Sequence, residues 1–263
     1  MTITKAQIRH VRDLHRKKER EEAGTFLVEG VRLVREALAS HAAMEGFYFT
    51  EAAAMDPAVA ELIARAEQRT PHVHRLSPRD MESVSDTVTA QGVLAEFRQQ
   101  HRELGEIIVR GDTDSFLVAL DGVTDPGNLG SIIRSADWFG VQGVLVGHQS
   151  VDLYNPKVVR STMGSIFHLP VLPDVDLLAA LSRAREAGYT VYGADAAGEA
   201  HFDHVSFARK SVLVMGNEAW GLSDAVKTLT DVRVAIRRYG SAESLNVGVA
   251  CGILLSGLHK LIE

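Results

Sequence analysis

The chain has 263 residues, 46% hydrophobic and 24% charged, with seven prolines, one cysteine and a formal net charge of −6. This composition excludes a disordered or collagen-like chain, and a lone Cys251 excludes a disulfide framework or a multi-cysteine metal site. Residues 1–10 carry Lys5 and Arg9 and no apolar core, and the uncharged helix-like stretch Val247 to Leu258 is short of the roughly 20 residues a membrane span needs, so a soluble cytoplasmic protein is expected.

In chain order, residues 1–20 predict one helix. Lys5, Arg9, Arg12, Arg16 and Arg20 fall within about an 80° wedge, with Ile8, Val11 and Leu14 on another side. Seven cations, Lys17 and Lys18 included, stand against Asp13 and Glu19 alone. The stripe is either a solvated face or a polyanion-binding surface, for which Arg9, Arg12, Arg16, Lys18 and Arg20 are the candidates. Residues 25–30 read as a strand, 31–38 as a helix, 46–50 as a strand and 57–68 as a helix after Pro57. Residues 72–76 (strand), 78–84 (short helix) and 92–97 (strand) complete a small α/β unit. The polar run 98–103 and the Gly111-Asp-Thr-Asp114 tract suggest a linker, placed at 107–114 between domains at 1–106 and 115–263.

The second half opens on Phe116-Leu-Val-Ala-Leu120, a continuous apolar strand of the kind buried in a parallel sheet. A glycine-rich turn with Asn128 as a possible N-cap leads into a helix with Leu129, Ile132, Ile133, Ala136 and Phe139 on one face, stopped by Gly140. Further strands are expected at 143–146, 189–194, 211–215 and 232–236, and helices at 155–163, 175–187 and 245–262. Ligands of parallel α/β sheets sit at the carboxyl ends of strands. Three loops follow such ends: Asp121 to Ser131, Gly216-Asn-Glu-Ala-Trp-Gly-Leu222, and Arg237 to Asn246. The first, Gly127-Asn-Leu-Gly130, is neither a dinucleotide fingerprint nor a Walker loop, which argues against a nicotinamide-dependent oxidoreductase.

The spacing Asn-x5-Arg, then Gly-Asn-Glu-x2-Gly-Leu, then Gly-x2-Glu-Ser-Leu-Asn-Val resembles the SpoU (TrmH-like) family of RNA ribose 2′-O-methyltransferases in the SPOUT superclass. Arg20 and Phe26-Leu-Val-Glu-Gly30 are similar to the family's small substrate-binding domain of L30e-like fold. The resemblance implies an α/β fold: an L30e-like domain, then a parallel-sheet SPOUT domain with a deep C-terminal trefoil knot. It implies S-adenosyl-L-methionine (AdoMet) held by Gly216, Asn217, Ile236, Ser244 and Leu245, and catalytic positions at Asn128, Arg134, Glu218, Ser244 and Asn246. It also implies a homodimer, whose interface would use Val247, Ala250, Leu254, Leu258 and Leu261 of the last helix. The implied partner is RNA, foremost 23S ribosomal RNA, with transfer RNA or a non-catalytic ribosome-assembly role as alternatives. Where relatives often carry Pro-Met after the isoleucine, this chain has Arg237-Arg238. No metal is expected, because His10, His15, His72, His74, His201 and His204 lack an acidic or cysteine partner set. A guanidinium is always protonated, so Arg134 is expected to stabilise charge and fix a phosphate rather than act as a base.

Overall fold

A computed structural model describes residues 3–87, 89–109 and 114–259, with side chains to 257. The chain divides into two compact units: residues 1–100 with 154–167, and residues 101–153 with 168–263. Residues 154–167, assigned by sequence to the second domain, therefore pack in the first unit. Phe26 shows why, with its ring centroid 4.6 Å from that of Tyr154 and 6.1 Å from that of Phe167.

The first unit is built on strands β1 (Thr25–Glu29), β2 (Met44–Thr50), β3 (Val73–Leu76) and β4 (Val93–Arg98), in the order β1-β4-β2-β3. β4 runs antiparallel to both neighbours, and β2 and β3 are parallel. Helices begin where the sequence offers caps: Asp56 before Pro57, and Ser77 before Pro78. Val11, Leu14, Leu27, Tyr48, Leu76, Met81, Val84 and Leu94 form a shared core. Within it Glu96, 4% exposed, accepts hydrogen bonds from Thr25 Oγ1 at 2.7 Å and the Tyr48 hydroxyl at 3.2 Å, and pairs with His10 Nε2 at 2.9 Å. Burial acts to raise the Glu96 pKa, but the hydrogen bonds, His10's first, outweigh it and lower it. The same bond raises that of His10.

The single N-terminal helix expected from the charge pattern is two helices, Lys5–Asp13 and Lys17–Ala23. Arg20 accounts for the break. Only 3% exposed, it donates Nη1 to the carbonyls of Leu14 (2.8 Å) and His15 (2.7 Å), which helical hydrogen bonding leaves open there. Arg20 is thus a structural residue inside the unit and leaves the proposed RNA-binding stripe. Acids also reach the stripe: Arg16 pairs with Asp13 at 3.1 Å and Glu19 at 3.2 Å, and Lys18 with Glu22 at 3.6 Å. Arg9 and Arg12 remain exposed.

The second unit carries seven parallel strands: β5 (Ser115–Asp121), β6 (Gly143–Gly147), β7 (Val171–Val175), β8 (Thr190–Ala194), β9 (Ala200–His201), β10 (Lys210–Gly216) and β11 (Val232–Ala235). Their order is β7-β6-β5-β10-β8-β11-β9. β5 and β10, buried almost throughout, pair in the middle, with Leu120 opposite Met215 and Asp121 opposite Gly216. Such strands need no polar face because both sides are covered. Ile107 and Ile108, expected in the linker, are buried in this unit's core; residues 110–113 of that linker lie outside the described residues.

The helix Pro126–Trp138 buries Leu129, Ile132, Ile133 and Ala136. The final helix, Val247–His259, packs against it through small residues. A β-carbon on Gly248 would lie 3.4 Å from Ser131 Cβ, and one on Gly252 3.8 Å from Ser135 Oγ. The glycines expected to admit a second subunit thus serve close packing inside this unit, where Val247 and Leu254 are also buried. Leu261 and the side chain of Leu258 lie outside the described residues. No helix among the described residues is long and apolar enough to cross a membrane.

Candidate active site

Chain order reverses between β5 and β10: β5 continues outward to β6 and β7, whereas β10 continues on the other side to β11. A reversal of this kind leaves a crevice at the strands' carboxyl ends, where parallel sheets hold ligands. The loops leaving β5 and β10 meet there. Asn217 Nδ2 donates to the Gly122 carbonyl at 2.6 Å, and the Ser223 N–H to Asp121 Oδ2 at 2.7 Å. Gly122, at φ +77°, takes a conformation that favours glycine.

The β5 loop ends on Asp125, whose side chain accepts from the Asn128 N–H at 2.9 Å, with Pro126 in the first turn. Asp125, not Asn128, is therefore the N-cap. This frees the Asn128 side chain, which donates Nδ2 to Glu218 Oε1 at 2.9 Å and accepts from Asn246 Nδ2 at 2.8 Å. Asn246 in turn starts the last helix, its Oδ1 accepting from the N–H groups of Gly248 (3.0 Å) and Val249 (3.2 Å). One relay, Glu218–Asn128–Asn246, thus links the loops after β10, β5 and β11.

The β10 loop is a tight closure. The Asn217 and Gly221 backbones exchange two hydrogen bonds at 2.9 and 3.0 Å, and Asn217 Oδ1 accepts from the Ala219 N–H at 2.7 Å. Asn217, named from sequence as a cofactor contact, commits both side-chain atoms to shaping this loop. Gly216 is sterically required, since a β-carbon there would collide with the Gly221 and Leu222 backbones. Between β11 and the last helix, residues 236–246 form an irregular segment with Ile236 half-buried, Leu245 50% exposed, and Arg237, Arg238 and Ser244 exposed.

Of the sequence candidates, the structure brings Asn128, Glu218 and Asn246 together. It does not bring Arg134 or Ser244 to them. Arg134 is six residues beyond Asn128, roughly 120° around the helix, exposed and without a side-chain hydrogen bond or ion pair among the described residues. Asp121, Asp125 and Gly122, which hold the site's loops, were missed from sequence. An acid or glycine just after a buried strand was the available signal. Among the described residues no three His, Cys, Asp or Glu side chains come together as a metal site.

An all-parallel sheet with a polar relay at its switch point, joined to a small α/β unit, defines a two-domain ligand-binding α/β protein. Residues 115–256 match the SpoU rRNA Methylase family and residues 5–95 the MRM3-like substrate binding domain. The chain belongs to the SpoU rRNA methylase family. It is 33% identical to the Bacillus subtilis 23S rRNA (guanosine(2553)-2′-O)-methyltransferase RlmP, over 98% of each chain. It is 34% identical to the Streptomyces viridochromogenes 23S rRNA (uridine(2479)-2′-O)-methyltransferase, over 95% of this chain and 88% of the relative. The crystal structure of the SpoU methyltransferase AviRb from Streptomyces viridochromogenes, in complex with AdoMet, superposes with a TM-score of 0.88 at 30% identity, covering 99% of both chains.

Proposed function

We propose that this protein transfers a methyl group from AdoMet to a ribose 2′-hydroxyl of 23S ribosomal RNA. The observation that carries the reading is the Glu218–Asn128–Asn246 relay at the switch point, in a chain with two near-full-length relatives named as 23S rRNA 2′-O-methyltransferases.

The residues present fit the cofactor. Gly216 offers bare backbone in a position that no side chain can enter. Ile236 and the half-exposed Leu245 offer apolar surface of the kind an adenine ring covers, and the irregular segment between them offers peptide groups. When bound, AdoMet supplies an electrophilic methyl group for in-line displacement. The chain's own residues position the acceptor. The amides of Asn128 and Asn246 present donors and acceptors to a ribose, and the Asn128 Nδ2–H···Glu218 Oε1 bond fixes which way the Asn128 amide faces. Arg134 contributes a permanent cation for the adjacent phosphate and for charge developing on the 2′-oxygen, and water or phosphate takes the proton.

The protein acts as a homodimer in the cytoplasm, and its C-terminal segment forms a trefoil knot. Support for the dimer comes from the placement of Arg134, exposed and turned roughly 120° from Asn128, where a second subunit's relay can receive it. Support for the knot is family membership. The N-terminal unit binds RNA, with Arg9 and Arg12 on its exposed helix face.

The test is transfer of tritiated methyl groups from AdoMet to ribosomal RNA and to transfer RNA from a strain lacking the gene. Label entering 23S rRNA alone is expected. Label confined to transfer RNA refutes the substrate, and label in neither leaves the RNA-binding, non-catalytic alternative.

A further inference from the structure

We propose that Trp220 is the stacking platform for the nucleobase carried by the acceptor ribose. The proposal rests on the methyltransferase reading above and deepens it by placing the base as well as the sugar.

Trp220 is 60% exposed, although its loop is pinned at both ends. The reciprocal Asn217–Gly221 hydrogen bonds shut the loop at its neck. The Asn217 side chain ties it inward to the Ala219 N–H and across to the Gly122 carbonyl. The indole borders the open side of the same glycine, where a β-carbon would come within 3.7 Å of Trp220 Cζ2. The ring is therefore steadied at one edge and open to solvent over most of its area. Burial in the core does not account for it.

Its position in the loop supplies the reason. Glu218, two residues earlier, reaches the relay to Asn128 and Asn246, so the indole and the relay hang from one rigid hairpin. The relay is made of amides and a carboxylate, groups suited to hydroxyls and phosphate. A nucleobase instead presents a flat π face. A nucleotide whose 2′-hydroxyl must meet a methyl donor in line has to leave its stack in a folded RNA, and an aromatic side chain replaces that lost stacking. Stacking tolerates every base, so Trp220 holds the base without selecting it.

The experiment compares the full-length wild type, Trp220→Ala and Trp220→Phe with ribosomal RNA from a strain lacking the gene. Trp220→Ala should raise the KM for RNA roughly 5- to 150-fold, the usual effect of removing a stacking ring. Affinity for AdoMet and Tm should be unchanged, and Trp220→Phe should restore most of the RNA affinity. In a Trp138→Phe background Trp220 is the chain's sole tryptophan, and RNA binding should quench its fluorescence. A wild-type KM in Trp220→Ala, or an unquenched indole at saturating RNA, overturns the proposal. If the wild type methylates no RNA, the functional reading fails, and the quenching measurement alone decides Trp220. If Trp220→Ala does not fold, quenching and Trp220→Phe still decide it.

Discussion

Asn128 is the middle of the relay, and Asn128→Asp changes one atom of it. Asparagine donates to Glu218 at 2.9 Å and accepts from Asn246 at 2.8 Å. Aspartate keeps the second bond and replaces the first with two carboxylates in contact. The lost bond is worth about 0.5–1.5 kcal/mol. The repulsion lies between ~1 kcal/mol in water and ~4 kcal/mol at a protein surface for charges 4 Å apart, and this exposed pair belongs to the lower half of that range. Against it, a carboxylate in the first turn of the Pro126–Trp138 helix gains about 0.3–1 kcal/mol from the helix dipole. Repulsion and the lost bond win locally, by on the order of 1–3 kcal/mol, and the side chains relieve them by separating. Global stability should therefore barely move while the relay opens. Single-turnover methyl transfer should fall roughly 5- to 150-fold at unchanged Tm, since each 1.36 kcal/mol is tenfold in rate. Asn128→Ala, which removes both bonds without repulsion, should fall at the low end of that range. A rate indistinguishable from wild type in Asn128→Asp would show that the relay does not orient the acceptor.

Arg134→Ala should cut turnover by about 10²–10³ with little change in AdoMet affinity; mixed dimers of Arg134→Ala and Asn246→Ala should regain activity, and mixed dimers as inactive as their parents would refute a shared site. Arg9→Gln with Arg12→Gln should flatten the dependence of log RNA affinity on log salt by roughly 1–2 units, at about 0.7–0.9 per phosphate, and an unchanged slope would make that face merely solvated. Gly248→Leu, which forces a side chain against Asn246 Oδ1 and Ser131 Cβ, should cost about 1–3 kcal/mol in urea unfolding. The raised pKa of His10 means its charged form stabilises the fold below its ordinary 6.5, a contribution lost as pH rises through the raised value; the lowered pKa of Glu96 adds stability above its ordinary 4.5, lost as pH falls through the lowered value. The pair therefore contributes most between pH 4.5 and 6.5, and Glu96→Gln should lower stability most in that window; stability curves that stay parallel from pH 4 to 9 would contradict this.

Much of the fold was legible because the buried parallel strands are unbroken apolar runs and the helices carry caps. Phe116 to Leu120 and Ser211 to Met215 both lie within observed strands. β7 was missed because Pro173 interrupts it and Pro170 immediately precedes it, which an edge strand of a sheet tolerates. The N-terminal helix was misread because angular periodicity cannot register that Arg20 folds inward to cap carbonyls. Likewise Asn128 and Asp125 are both good caps, and only the fold decides which caps and which is released to bind. The meeting of Glu218, Asn128 and Asn246 joins positions up to 118 residues apart. Motif resemblance indicated it; local sequence physics could not. The assignment of residues 154–167 to the first unit depends on aromatic packing around Phe26, a long-range contact with no sequence period.

The central claim, methylation of a ribose hydroxyl in ribosomal RNA, is tested most directly by alkaline hydrolysis of 23S rRNA labelled with tritiated AdoMet and the purified protein. A 2′-O-methyl group removes the nucleophile that cleaves the adjacent phosphodiester, so the label should emerge in a single alkali-resistant dinucleotide. Label recovered in mononucleotides would place the methyl group on a base and contradict the account.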